Sequence, residues 1–254
     1  TLFRSNKLNR LLYETLSTSE ILEIGKYINP LFKKEYITIC LNLPGLDNRQ
    51  FYSLQSDLKV QYQLRLRRYQ NGGFIIFNYQ ERAEFDAALP GLRKLFHYYC
   101  NTYSSGISGA FENAADFQQS IRQACSSLRI GIMLKQQWTY PDDLHIYNLL
   151  MAVHDNATLK NFYTMTLAPL IQYEKRYSVD LIKTIETYLT CDGDYKKTAI
   201  LLKQHENTIR FRINKAKSLL GMENSHYKFI EQVSLALKAR SVEKFSVNRP
   251  PNGL

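Results

Sequence analysis

The sequence is poor in the residues from which catalytic and metal sites are usually built. Its four cysteines, Cys40, Cys100, Cys125 and Cys191, lie far apart and form no CxxC pair. That excludes a disulfide framework and a cysteine zinc site, and reads as reduced, mostly buried thiols of a cytoplasmic protein. The five histidines, His97, His145, His154, His205 and His226, stand at no ligand spacing to a cysteine or an acid, so no metal site is expected. GxSxG, P-loop and GxGxxG motifs are absent. No apolar run approaches the length of a membrane span, and Arg4, Lys7 and Arg10 interrupt the first leucines, so no signal peptide is read. Acids are also short: 23 Asp+Glu against 33 Lys+Arg leave a net charge of +10. Such a balance favours anionic partners. Half of the excess falls before residue 179, so the whole molecule is not one nucleic-acid clamp.

What is present is concentrated between Asp194 and Gly221, DYKKTAILLKQHENTIRFRINKAKSLLG. A short amphipathic helix is followed by a polar turn and a longer helix, expected over 207–220. After Asn207 that helix carries Arg210, Arg212, Lys215 and Lys217 and no acid. Ile209, Ile213, Ala216 and Leu220 recur at spacings that line one helical face. The other face holds Asn207, Arg210, Phe211, Asn214, Lys217 and Ser218. Ala199 and Leu202 point inward on the first helix, Asp194 is a candidate N-cap, and Gly221 stands where a helix stop favours glycine. Two readings fit the pattern: a helix-turn-helix that binds DNA, or a basic surface helix of an ordinary bundle.

The run Thr198-Ala199, His205-x-Asn207-Thr208, Arg210-Phe211-Arg212-Ile213 and Leu219-Leu220-Gly221 resembles the C-terminal helix-turn-helix of PucR/CdaR-type bacterial transcription regulators. Leu181–Leu189 resembles the family's entry helix, and Ser234–Leu237 its closing apolar helix. Ile209, Phe211 and Glu206 depart from the usual leucine, tyrosine and arginine. The resemblance implies a DNA-binding regulator, not an enzyme. Base edges would be met by His205, Glu206, Thr208 and Phe211, and phosphates by Asn207, Thr208, Arg210, Lys215 and Lys217. Asn214 lies on the same exposed face. Arg212, beside the apolar stripe, either reads DNA or bonds a neighbouring helix. His205 either bonds DNA or caps the helix. One reading helix covers few base pairs, so a homodimer on double-stranded DNA is expected.

Upstream, Leu8, Leu11, Leu12 and Leu16 form a helical stripe, either packed on the next domain or acting as a linker from a sensor. Ser17-Thr18-Ser19-Glu20 starts a second helix, and Asn29-Pro30 breaks it. From Glu35, apolar Ile37, Ile39, Leu41 and Leu43 alternate with Thr38, Cys40 and Asn42, a half-buried strand. A helix over 47–59, a strand at Tyr62, Leu64 and Leu66, a turn at Asn71-Gly72-Gly73 and a strand from Phe74 to Phe77 follow. Then come a helix over 84–99, a strand near 103–108, a helix over 114–130 and a strand near Trp138. This order predicts a ferredoxin-like sheet with helices on one face.

That region also resembles a degenerate GGDEF cyclase palm. Gly72-Gly73 falls at the cyclase glycine pair, though the glycines serve equally as turn residues. Phe74, Ile75 and Ile76 stand where metal-binding acids would follow, so cyclase chemistry is not expected. Gly106-Ile107-Ser108 matches the family's strand end, and Asp116–Leu128 its next helix. Arg65, Arg67 and Arg68 read as a solvated strand face or as an anion site.

The expected fold is therefore α+β: a ferredoxin-like, GGDEF-like domain followed by an all-α helix-turn-helix domain. The expected boundaries are a helical linker at 1–34, the α/β domain at 35–141, a helical connector at 142–178, the DNA-binding domain at 179–240 and a disordered tail at 241–254. No catalytic residue, cofactor, metal or membrane association is expected. A small-molecule effector is implied without identity. The chain starts at Thr1, which reads as a piece of a longer protein with a sensor upstream. The alternative is a ligand-sensing or dimerising module built on an inactive cyclase-like domain.

Overall fold

The computed structural model describes residues 10–28 and 34–247. The chain is mixed α+β and divides into two compact units, between Asn148 and Leu149.

The first unit is built on a five-stranded sheet. Its elements are α1 (Thr18–Ile28), β1 (Glu35–Asn42), α2 (Asn48–Tyr62), β2 (Arg67–Tyr69), β3 (Gly72–Tyr79), α3 (Arg82–Tyr99), β4 (Ser104–Ile107), α4 (Phe117–Leu134) and β5 (Trp138–Thr139). The strand order is β2-β3-β1-β4-β5. β1 pairs antiparallel with both β3 and β4, β2 pairs antiparallel with β3, and β5 adds parallel to β4.

Helices cover both faces of this sheet, not one. Ile37, Ile39 and Leu41 of β1 pack with Phe51, Leu54 and Leu58 of α2 and Phe85, Leu92 and Phe96 of α3. Tyr36 and Cys40 of the same strand join Phe74 and Ile76 under Ile121, Ala124, Cys125 and Leu128 of α4. β1 is therefore buried on both faces from Tyr36 to Leu41. Its polar Thr38 is tolerated because it is hydrogen-bonded: its hydroxyl lies 2.8 Å from the Ser120 hydroxyl and its N–H donates to Ser108 Oγ at 2.9 Å. All four cysteines are buried, and Cys40 and Cys125 face each other with Sγ atoms 3.7 Å apart. Burial pushes the Cys40 thiol well up.

The second expected strand is displaced. α2 continues to Tyr62 and ends at Gln63 in the left-handed region, φ 55°. Leu64 and Leu66 are buried as an extended lead-in, and pairing begins only at Arg67. Arg68 is neither free nor grouped for an anion: it donates to Asn48 Oδ1 at 2.6 Å and covers the Phe51 ring. The hairpin turn lies at Gln70, φ 47°, so Gly72 and Gly73 belong to β3 itself. They are glycine because a Cβ would sit 1.9 Å from the Leu41 carbonyl oxygen or 2.3 Å from that of Arg67. Gly106 on β4 is required for the same reason, since α4 crosses it too closely for a side chain.

The N-terminal stripe packs into this unit. Leu11, Ile21 and Ile24 join the core beneath α4, with Leu12 and Leu16 beside it. Ser17 opens α1 as its spacing to Glu20 predicts, donating N–H and hydroxyl to the Glu20 carboxylate at 3.0 and 2.8 Å. Those bonds, with Arg10, hold Glu20 down to about 2. Leu8 and Asn29-Pro30 lie outside the described residues.

The second unit is helical. The division falls within α5 (His145–Ala152), and the unit continues with α6 (Ala157–Tyr177), α7 (Leu181–Thr190), α8 (Tyr195–Leu202), α9 (Glu206–Leu219) and α10 (His226–Val247). The stretch 142–178 is not one connector. A turn capped by the Asn156 side chain divides it, and α6 packs along α10 as part of the helical body. α10 runs to Val247 with Val242 fully buried, so the tail expected from residue 241 is helical up to that point. Residues 248–254 lie outside the described residues.

Among the described residues, no helix is long and apolar enough to cross a membrane. No group of three His, Cys, Asp or Glu among them could hold a metal ion.

Candidate nucleic-acid interface

α8 and α9 are fixed by local chemistry at both ends. Asp194 caps α8, its carboxylate accepting from the Lys196 and Lys197 amides at 2.8 and 3.0 Å. Those amide bonds hold the Asp194 carboxyl below its ordinary 3.8. Lys203 ends the helix at φ 51°, and the chain turns through Gln204 into His205. His205 caps α9: its Nδ1 accepts from the Asn207 N–H at 3.2 Å. At the far end Gly221 takes φ 63°, the Gly221 N–H reaches the Ser218 carbonyl at 3.2 Å and the Met222 N–H that of Lys217 at 2.8 Å. This pair of bonds is the Schellman arrangement, which favours glycine.

Packing then decides which side of α9 faces water. Ile209, Ile213 and Ala216 are fully buried against α7 and α8, where Thr198 and Ala199 allow close approach. Leu202 and Leu220 are only half-buried. His205, Asn207, Arg210, Phe211, Asn214 and Ser218 are exposed, and Glu206, Thr208, Arg212, Lys215 and Lys217 half-buried. Phe211, at 63% exposure, is a large apolar side chain left mostly in solvent.

The cations are less free than their number implies. Arg210 donates from Nε and Nη2 to Glu206 Oε1 at 3.0 and 2.6 Å, and its guanidinium lies 4.3 Å from the Tyr195 ring centroid. Arg212 turns inward, Nη1 donating to the buried Thr184 hydroxyl of α7 at 3.0 Å. Lys215 Nζ sits 5.3 Å from the Tyr173 ring and Lys217 Nζ 5.8 Å from the Phe229 ring. Burial, then the Lys217 charge, pushes the His226 pKa down. Burial and the neighbouring Tyr195 hydroxyl push Tyr188 up.

The fold thus brings Asn207, Arg210, Phe211 and Asn214 onto one exposed face, leaves His205 exposed as the cap at its N-terminal end, and withdraws Arg212 from it. Sequence reasoning missed Tyr195, Thr184, Lys196 and Lys197. The lysine pair sits exposed in the first turn of α8, where the helix dipole disfavours cations. Their signal was a pair of lysines two and three residues after an N-cap aspartate.

Residues 181–239 match the PucR C-terminal helix-turn-helix domain. Three Bacillus subtilis proteins are similar over longer stretches. The DNA-binding transcriptional activator AdeR is 21% identical over 147 residues, 56% of this chain and 35% of AdeR. The purine catabolism regulatory protein is 28% identical over 141 residues, 54% of this chain and 26% of that protein. The proline-responsive transcriptional activator PutR is 20% identical over 246 residues, 91% of this chain and 60% of PutR. The matches thus span about a third of AdeR and a quarter of the purine regulator. Residues 181–239 form a helix-turn-helix domain of the PucR C-terminal type, with α8 and α9 as its two crossing helices.

Proposed function

We propose that this chain is a sequence-specific, DNA-binding transcription regulator and not an enzyme. One observation carries the reading: α9 is held by its caps and buried stripe so that Asn207, Phe211 and Asn214 project together into solvent. In a major groove, asparagine amides pair with adenine edges, and an apolar ring meets the thymine methyl. Half-sites rich in A·T pairs are therefore expected. Thr208 and His205 sit at the helix N-terminus, where backbone amides favour phosphate. Lys196, Lys197, Lys215 and Lys217 flank the reading face and position it on the backbone. Arg212 acts structurally, through Thr184.

The chain acts as a cytoplasmic homodimer on half-sites roughly 34 Å apart, since one helix reads few base pairs. The roles that two of the relatives are named for, purine catabolism and the response to proline, favour metabolic target genes. The first unit is ferredoxin-like and derived from a cyclase palm, as its strand order supports. Its glycine pair leads into buried Phe74, Ile75 and Ile76, which offer no metal carboxylate. The proposed domains are 35–141, with the preceding helices docked on it, and 179–240.

The test is genomic-fragment selection with the purified chain at two salt concentrations, beside an Asn207→Ala/Asn214→Ala variant. Enrichment of a repeated A·T-containing element, lost in the variant, supports the reading. Equal retention of all fragments, or enrichment unchanged by the variant, refutes it.

A further inference from the structure

A cleft of about 590 Å³ opens between the C-terminal half of α3 and the sheet edge at β5. That volume suits a metabolite, within the roughly 300–1,000 Å³ of small-molecule sites. Its floor is aromatic and rigid. Trp138 lies nearly parallel to the fully buried Phe96, centroids 5.9 Å apart, and donates Nε1–H to the Tyr103 hydroxyl at 2.6 Å. Tyr103 is 2% exposed, and burial pushes its pKa up, so it keeps its proton. Having accepted from Trp138, it has that proton left to donate.

The wall is cationic. Arg93 sets its guanidinium 5.4 Å from the Trp138 ring centroid, Lys94 is its neighbour, and His97 follows one turn on. No acid lines the cleft, and none of the three is ion-paired with a described residue. The dipole of α3 alone would favour cations at its C-terminal end. It does not account for a tryptophan braced beneath them or for a buried hydroxyl at the same place. Gln136 and Gln137 complete the lining without adding charge.

We propose that this cleft binds a small organic anion that carries a planar ring. The ring stacks on the outer face of the Arg93 guanidinium, above Trp138, as planar groups do on arginine. The carboxylate or phosphate is held by Lys94 and His97, and the Tyr103 hydroxyl donates to the ligand. The site belongs wholly to the first unit and does not depend on DNA binding.

Trp138 is the chain's one tryptophan, so its fluorescence reads the site directly. The intact chain is titrated with benzoate and adenosine monophosphate, with benzamide and adenosine as uncharged counterparts and inorganic phosphate as a ringless anion. Calorimetry supplies a second readout. A saturable response to benzoate, to the nucleotide or to both supports the proposal and tells an aryl acid from a nucleotide. Lys94→Ala and Arg93→Ala, both exposed and safe for folding, should each raise Kd about ten-fold or more, as loss of a charged hydrogen bond does. No saturable response up to about 10 mM would overturn the proposal, since a site that weak is worth under about 3 kcal/mol. So would equal binding of the uncharged compounds, phosphate binding as tightly as the nucleotide, or affinities unchanged in both variants.

Discussion

Replacing Glu206 with glutamine isolates one charge at the proposed reading surface. In the folded chain Glu206 Oε1 takes two hydrogen bonds from Arg210, whose guanidinium also rests on Tyr195. Glutamine keeps the shape and the Tyr195 contact but stops cancelling the arginine. The pair is half-exposed, 52% for Arg210 and 27% for Glu206. An exposed i,i+4 pair is worth about 0.3–0.5 kcal/mol, and an acid in a first helical turn about as much again. The helical unit should therefore lose under about 1 kcal/mol, a few degrees of Tm. On DNA the balance reverses. One more net positive charge steepens the slope of log K against log salt by about 0.9. Over a four-fold salt range that multiplies the loss of affinity by about three to four. Fluorescence anisotropy with a selected fragment and a scrambled duplex, at several salt concentrations, measures both slopes. Tighter low-salt binding to both duplexes, with a smaller ratio between them, is expected. An unchanged slope would mean that Glu206 and Arg210 lie away from phosphate, and the placement of α9 would be wrong.

Arg212→Ala should lower the stability of the helical unit by about 1–2 kcal/mol, because Thr184 loses a charged donor. Its salt slope on DNA should stay near that of the parent chain; a slope lower by about one charge would return Arg212 to the phosphate-binding set. Gly106→Ala would place a Cβ 2.0 Å from the Leu128 nitrogen and 2.2 Å from the Ala124 carbonyl oxygen. Backbone cannot yield cheaply, so a cost of about 3 kcal/mol or more is expected, at or above the upper end for overpacking. Thermal melts followed by Trp138 fluorescence would show it, and a loss below about 1 kcal/mol would contradict the packing described. Asp194→Ala should lower the Tm of the helical unit at neutral pH. Because the folded carboxyl titrates below its ordinary 3.8, its contribution is complete above that value and is lost as pH falls through the lower, folded one. The gap between variant and parent should thus close in acid below pH 3.8, and a gap that persisted there would count against the cap.

The helix-turn-helix was legible because each of its constraints falls on a residue type. A cap needs Asp194, a stop needs Gly221, and a buried stripe needs Ile209, Ile213 and Ala216 at helical spacing. The sheet was legible in order but not in depth. Thr38 and Cys40 read as the wet side of β1, because alternation counts a hydroxyl and a thiol as polar. Ser120 and Ser108 satisfy that threonine from elements far along the chain, and a reading of local periodicity contains no such partner. Leu64 and Leu66 failed in the opposite way. Their alternation is real and both are buried, but the ladder starts one residue later. Burial produces the alternating pattern; pairing does not.

Charge on α9 shows where counting residues misleads most. Four cations in fourteen residues look like a phosphate-binding strip. In the fold Arg210 is bound to Glu206 and Tyr195, Arg212 to Thr184, Lys215 lies by Tyr173 and Lys217 by Phe229. Exposed residues of α9 without such contacts are Asn207, Phe211, Asn214 and Ser218, all uncharged. On the proposed reading this separates two tasks. Neutral side chains at the centre discriminate between bases, and tethered cations at the edges, with Lys196 and Lys197 on α8, set affinity and register. A centre dominated by mobile arginines would bind any duplex strongly and leave little for sequence to decide. Glu206 works in the same direction. On the same proposed reading, by pairing with Arg210 it would lower the affinity common to all DNA and raise the share that depends on base identity.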